Sequence, residues 1–159
     1  MKRTDKPKRQ PAAPLEEAVF VGLLRTADAL ARGGEALLKP YSLSPTQYNI
    51  LRILRGAGEN GLACREVGCR LISRDPDITR LLDGMESRGW IARARETVDR
   101  RVVKTRITTE GLRVLGELDA PVYEMHRRQL GHISASQLRQ LLKLLDRARQ
   151  RVEGAEPCT

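Results

Sequence analysis

The sequence predicts a mostly α protein with one small β element, on three observations. Apolar residues recur at helical spacing toward both termini, several segments open on helix-capping sequences, and only the stretch after Gly89 switches to a two-residue alternation. At 159 residues the chain can hold one lobe with a real core, plus helices whose apolar faces are met only in an oligomer.

Residues 1–14 carry Lys2, Arg3, Lys6, Lys8 and Arg9 against Asp5, with three prolines and almost nothing to bury. That composition predicts a disordered basic tail, either a solubilising terminus or an arm that adds phosphate contacts. Segment 15–40 reads as a helix with Leu15, Val19, Leu23, Ala27 and Leu30 as its stripe and Pro40 as its end. Ser44-Pro45-Thr46-Gln47 supplies an N-cap serine, a proline at the first helical position and a glutamine at the third. A second helix therefore begins there, with Tyr48, Leu51, Ile53 and Leu54 on its apolar face. Gly56 and Gly58 stop it, and Leu62 to Leu71 reads as a short helix with Ala63, Val67 and Leu71 inward. Arg74-Asp75-Pro76-Asp77 predicts the next start, with Asp75 as the cap and Pro76 in the first turn of a helix that runs to Gly89. Short helices in this succession, the third with a sharp start, make a helix-turn-helix outline.

After Gly89 the runs 90–95 and 101–107 alternate on either side of the polar centre 96–100, which predicts a β-hairpin. Together these elements form a winged helix-turn-helix lobe over residues 41–110. Thr108 or Thr109 caps the following helix, whose stripe is Leu112, Leu115 and Leu118, and Pro121 is expected to kink it or mark a restart. The last helix opens on the capping box Ser134-Ala135-Ser136-Gln137 and carries a broad stripe of Leu138, Leu141, Leu142, Leu145, Ala148 and Val152. Residues 154–159 are read as a tail.

Charge points to a polyanion: 29 Lys and Arg stand against 20 Asp and Glu, a formal +9. Aromatics are only 3%, too few for base-stacking platforms, so duplex DNA is favoured over single strands. No run approaches the ~20 apolar residues of a membrane span, and the basic N-terminus lacks the apolar segment of a secretory signal. A cytoplasmic protein with no membrane partner is expected. Cys64, Cys69 and Cys158 are odd in number and lack a paired metal spacing, so free thiols are expected. His126 and His132 fall on different helix faces, and neither a metal site nor a cofactor is expected. The absence of a Gly-rich phosphate loop, a Ser-His-Asp order or paired acids in an apolar setting argues against an enzyme.

In the third helix of the lobe, burial of Ile78, Leu81, Leu82 and Met85 leaves Asp77, Thr79, Arg80, Gly84 and Arg88 outside or at the edge. Such a face fits the major groove, where Arg80 is suited to a bidentate contact with guanine, Thr79 to a thymine methyl or a phosphate, and Asp77 to a cytosine amine. Arg74, Pro76 and Gly84 complete the expected DNA-reading set. Asp75, Asp77, Asp83 and Glu86 make this helix less basic than a reader needs. The hairpin compensates through Arg93, Arg95, Arg100, Arg101, Lys104 and Arg106, opposed there only by Glu96 and Asp99. Its Asp99-Arg100-Arg101 tip is expected to enter a minor groove with arginine leading, the aspartate holding one guanidinium in place.

The runs Leu43 to Leu51, Ile78 to Trp90, Asp99-Arg100-Arg101 and Ile107 to Gly111, in that order, resemble the MarR family of bacterial transcription regulators over about residues 15–152. The resemblance implies a triangular dimer with interleaved terminal helices, two winged lobes on a pseudo-palindrome, and a ligand crevice between lobe and dimer base. It also implies repression relieved by a small, often phenolic, ligand, while some members sense oxidants through cysteine. The acidic start of the recognition helix and Gly84 depart from the family pattern.

The terminal helices, 15–40 and 111–153, are expected to build a homodimer through Leu15, Val19, Leu23, Leu138, Leu141, Leu142 and Leu145, since the small lobe cannot cover both stripes. The expected function is a sequence-specific dimeric regulator of double-stranded DNA, a repressor released by a small aromatic ligand. A redox-responsive regulator acting through Cys64 and Cys69, whose side chains diverge too far to bond within one helix, and a DNA binder with no effector are the alternatives.

Overall fold

A computed structural model describes residues 14–73, 76–96 and 102–153, with side chains as far as Arg151. The basic tail, Arg74, Asp75, the wing tip 97–101, the Val152 side chain and the tail 154–159 with Cys158 lie outside the described residues.

Helix α1 spans Leu15–Leu38 and passes into a 3-10 turn at Lys39–Tyr41, where Pro40 ends the α-helical ladder as expected. Helix α2, Pro45–Ala57, opens on a complete capping box: the Ser44 hydroxyl accepts the Gln47 N–H at 3.1 Å, and the Gln47 side chain accepts the Ser44 N–H at 2.9 Å. A 3-10 turn at Gly58–Asn60, strand β1 (Leu62–Ala63) and helix α3 (Cys64–Arg70) follow. Helix α4 (Ile78–Ser87), strands β2 (Ile91–Arg95) and β3 (Val103–Ile107), helix α5 (Thr109–Leu130) and helix α6 (Ala135–Glu153) complete the order. The three strands form an antiparallel sheet in the order β1-β3-β2, with Leu62 opposite Thr105 and Arg93 opposite Thr105 on the other side.

Four local expectations are corrected. Leu62 and Ala63 are strand, not the first turn of a helix. Gly61, at φ +60°, lies so close to the Thr105 carbonyl and the Arg106 side chain that an added Cβ would sit 2.7 Å from each. That approach lets Leu62 and Ala63 satisfy their backbone on the edge of β3, and α3 starts after them, with the Glu66 carboxylate accepting the Ala63 N–H at 2.7 Å. Helix α4 begins at Ile78 rather than Pro76. Asp77 holds the cap position with φ −116° and ψ 41°, away from the extended backbone a capping side chain needs, and its carboxylate makes no cap bond. Leu112 is 44% exposed rather than inward. Gly111 packs against the Trp90 carbonyl with no room for a side chain, which turns Gly111, Val114, Leu115, Leu118 and Val122 toward the core instead. Finally, of the two outcomes expected at Pro121 the restart is overturned, because α5 runs on through it: Pro121 and Glu117, the residue whose carbonyl loses an N–H, are both exposed, while Leu118 and Val122 anchor the helix on either side.

The core lies inside the lobe, where Ile50, Leu51 and Leu54 of α2, Val67 of α3, Leu82 and Met85 of α4, Ile91 of β2 and Leu115 and Leu118 of α5 are fully buried. The C-terminal half of α1 rests on α5. Gly33 admits the Gln129 side chain, whose amide donates to the Leu30 carbonyl at 2.9 Å. The N-terminal half of α1 is exposed, and among the described side chains of α6 none is buried and only Leu138, Leu145 and Asp146 are partly covered.

Candidate nucleic-acid interface

Helix α4 is seated by Leu82 and Met85 in the core and by the half-buried Ile78 and Leu81. The segment between α3 and α4 is tied to α2, because the Asn49 side chain accepts the Ile72 N–H at 3.0 Å. Cys64 of α3 touches the start of α4, its Sγ 3.9 Å from the Thr79 hydroxyl. With its inner face fixed, α4 turns Asp77, Thr79, Arg80, Asp83 and Gly84 outward, and Pro76 is exposed just ahead of it. The Arg80 side chain is 87% exposed and approaches the Asp77 carboxylate only loosely, at 3.9 Å. Gln47 at the start of α2 joins Asp77, Arg80, Leu81 and Gly84 around one open groove, and nothing lies within 4 Å of where a Gly84 Cβ would be. Arg80 and Thr79 are therefore presented as the sequence predicts, and Gln47 is an addition to the expected set.

Arg88 is differently employed. Its guanidinium stacks 3.8 Å from the Trp90 ring centre and donates to the Ser42 carbonyl at 2.6 Å, which makes it a strut under α4.

The wing requires a larger correction. Arg93, expected to meet DNA, is folded back on α4: its backbone N–H donates to Glu86 Oε1 at 2.9 Å, Nε to Glu86 Oε2 at 2.8 Å, and Nη2 to Asp83 Oδ1 at 2.5 Å. The Arg93 side chain is only 24% exposed. Hydrogen bonds from Arg93 hold the Glu86 carboxyl below the usual carboxylate range. The reason for the correction is register, since the five-residue strand β2 leaves Arg93 beside the last turn of α4, where two acids three residues apart share a face. Lys104 is likewise partly spent, 2.8 Å from Glu96, and Arg106 donates to the Glu59 carbonyl at 2.6 Å. Arg95 is exposed near the end of β2. Arg74, Asp99, Arg100 and Arg101 lie outside the described residues.

Sequence reasoning also missed a link between α2 and α5. Arg55 of α2 donates to both carboxylate oxygens of Asp119 on α5, at 2.8 and 3.0 Å, and this fork holds Asp119 below its ordinary pKa. No local spacing announces a pair 64 residues apart.

Cys64 is a half-buried free thiol, as expected, but Cys69 is not: it is disulfide-bonded, and to a residue other than Cys64, which corrects the expectation of free thiols. Among the described residues no group of three His, Cys, Asp or Glu could hold a metal ion, and no helix is long and apolar enough to cross a membrane.

Comparison with known proteins agrees with this geometry. The MarR family model matches residues 43–103, from just ahead of α2 to the first residue of β3. A MarR transcription factor from Planctomyces limnophilus, known from its crystal structure, is 38% identical, with 86% of this chain and 98% of that one covered and a TM-score of 0.65. The HTH-type transcriptional regulator TtmR of Methylorubrum extorquens (strain PA1) is 31% identical over 66% of this chain and 53% of that protein, so the chain spans about half the length of this curated relative. The MepR of S. aureus, crystallised as a DNA complex, is 19% identical and shares the fold, with a TM-score of 0.74 over 83% of this chain and 97% of that one. These regulators are transcription factors rather than enzymes. A winged lobe with this order of helices and strands, matched over almost the whole of a MarR transcription factor, places the chain in the MarR family of transcriptional regulators.

Proposed function

We propose that the protein is a homodimeric repressor that binds a pseudo-palindromic site in double-stranded DNA and is released by a small aromatic ligand. The observation that carries the DNA reading is the outward face of α4, where Thr79, Arg80 and Gly84 are exposed and Arg80 is held only loosely. The observation that supports the dimer is the uncovered apolar surface of the terminal helices: Leu15 is 75% exposed, Val19 52%, Leu141 42% and Leu142 58%, with Leu23 alongside and Leu138 and Leu145 half-buried. Two such faces in a twofold arrangement would cover each other and set two lobes side by side. Repression follows if the bound dimer competes with polymerase for the same duplex, and release by a ligand follows the family pattern.

A redox reading has one observation in its favour, the contact between Cys64 and Thr79. Oxidation of that sulfur would add bulk directly behind a residue of the DNA-facing helix.

The test is selection from random duplex DNA near physiological salt, repeated with simple aromatic acids and after mild oxidation. A pseudo-palindrome with half-sites about 10 bp apart supports the two-headed dimer. Only weak, salt-sensitive, sequence-indifferent binding would defeat the repressor reading. On the selected site, Arg80→Ala is expected to lose about 1–3 kcal/mol and relax preference at one base pair, whereas Arg100→Ala or Arg101→Ala weakens binding to all sequences and flattens the salt slope by about one phosphate.

A further inference from the structure

We infer that Arg93 is a positioning residue, not a DNA contact: it locks the wing to the recognition helix through Glu86 and Asp83, and it neutralises two acids that would otherwise repel the duplex. The inference rests on the DNA-binding reading of α4 and the wing. Three donors of one residue carry it. The backbone N–H of Arg93 fixes the strand itself to Glu86 Oε1, while Nε and Nη2 take Glu86 Oε2, and Nη2 also reaches Asp83. Both carboxylate oxygens of Glu86 are thereby used, one by main chain and one by side chain. The lock thus sets where β2 leaves the helix, not merely where one side chain lies.

Geometry makes this contact decisive for the wing. Only three residues, Arg88 to Trp90, join α4 to β2, which is an edge strand paired with β3 alone from Ile91–Ile107 to Arg95–Val103, and past Lys104 toward the wing tip β3 has no further support from β1. Two strands are marginal on their own and take their direction from what holds their base. Electrostatics point the same way. Asp83 is on the outward side of α4, near Arg80 and Gly84, and without a guanidinium between them Asp83 and Glu86 would present two like charges to phosphate.

The decisive variant is Glu86→Gln, because two explanations give it opposite signs. If Arg93 touches DNA, removing the acid raises the net charge, frees the guanidinium for phosphate and tightens binding. If Arg93 is a positioning residue, the amide NH2 of glutamine confronts one of the two donor sets that a carboxylate satisfies, the wing loosens, and affinity falls.

We expect Glu86→Gln to weaken binding to the selected duplex about tenfold, with Arg93→Ala at least as damaging and the double variant no worse than Arg93→Ala alone, the non-additivity of residues in one network. The same variants are compared by hydrogen exchange of the free protein, where amides of 91–96 should lose protection while those of α5 keep theirs. This readout needs no DNA. Unchanged exchange at 91–96 in both single variants, or binding by Glu86→Gln as tight as that of the parent, overturns the lock. Loss of α5 protection as well would mark general unfolding and overturn a local positioning role. A parent that binds no duplex sequence-specifically defeats the repressor reading instead, and the exchange data still decide the lock.

Discussion

The winged lobe and the terminal helices are built from similar residues and differ in where their apolar surface goes. Every long stripe in the lobe meets another: α2 lays Ile50, Leu51 and Leu54 against Leu115 and Leu118 of α5, and α4 closes the other side with Leu82 and Met85. By contrast, α6 carries leucines at 138, 141, 142, 144 and 145 and buries none of them within the chain, and α1 leaves Phe20 61% exposed. Leucine content alone is therefore no guide to stability. A stripe contributes to folding where the same chain covers it, and on the proposed dimer it contributes to association where the chain leaves it open.

Substitutions that separate these roles sharpen the contrast. The largest effect is expected in the lobe, where Leu54→Ala, with no exposed surface in the parent, should cost about 2–5 kcal/mol in denaturant unfolding. A loss below about 1 kcal/mol would show a core that collapses freely around the gap. Next comes Leu142→Asp on α6, expected to shift sedimentation from dimer to monomer while the lobe keeps its helical signal, since it places a charge in a face that is open in the single chain. A variant that stays dimeric would move the interface elsewhere.

Acid sensitivity should be smaller and confined to the junctions. The Arg55 fork depresses the pKa of Asp119, and the hydrogen bonds of Arg93 depress that of Glu86. A depressed carboxyl contributes stability above its unfolded value, about 3.9 for Asp and 4.3 for Glu, and loses it as pH falls through the lower folded value. Stability of the parent should therefore be flat from pH 7 to 5 with respect to these groups and decline below about pH 4, and the double variant Asp119→Asn with Glu86→Gln should show a shallower decline. Both carboxylates are more than one third exposed, so solvent screening keeps the difference small. An equal acid slope in parent and variant would remove both pairs from the account.

The smallest change, and the one of opposite sign, is Thr105→Val. Thr105 is 1% exposed in β3, and its hydroxyl has no hydrogen-bond partner among the described residues. An isosteric methyl removes that desolvated group, and chemical unfolding should show the variant as stable as the parent or better by about 1 kcal/mol. Destabilisation would mean that the hydroxyl has a partner in solution.

Much of the fold was legible because its signals are local. Ser44 to Gln47 and Ser134 to Gln137 write their helix starts within four residues, and the capping bonds form as read. The alternation after Gly89 likewise gives β2 and β3 in register. Legibility failed where an element's state depends on a distant neighbour. Leu62 and Ala63 become strand because the free edge of β3, some forty residues on in the chain, lies beside them and pairs Leu62 with Thr105. The outward rotation of Leu112 depends on how closely Gly111 can approach Trp90.

For the candidate site the division is the same. Sequence by itself determined that α4 would present Thr79 and Arg80, because the 3.6-residue period assigns faces to a helix before any partner is known. Only tertiary structure decided which cations remain free to meet a polyanion. Arg93, Lys104 and Arg106 look equivalent in the sequence, yet the first closes on Glu86 and Asp83, the second pairs with Glu96, and the third caps the Glu59 carbonyl. A charge is fixed by residue type, but its availability depends on the acceptors that folding brings within about 3 Å, and those come from elsewhere in the chain.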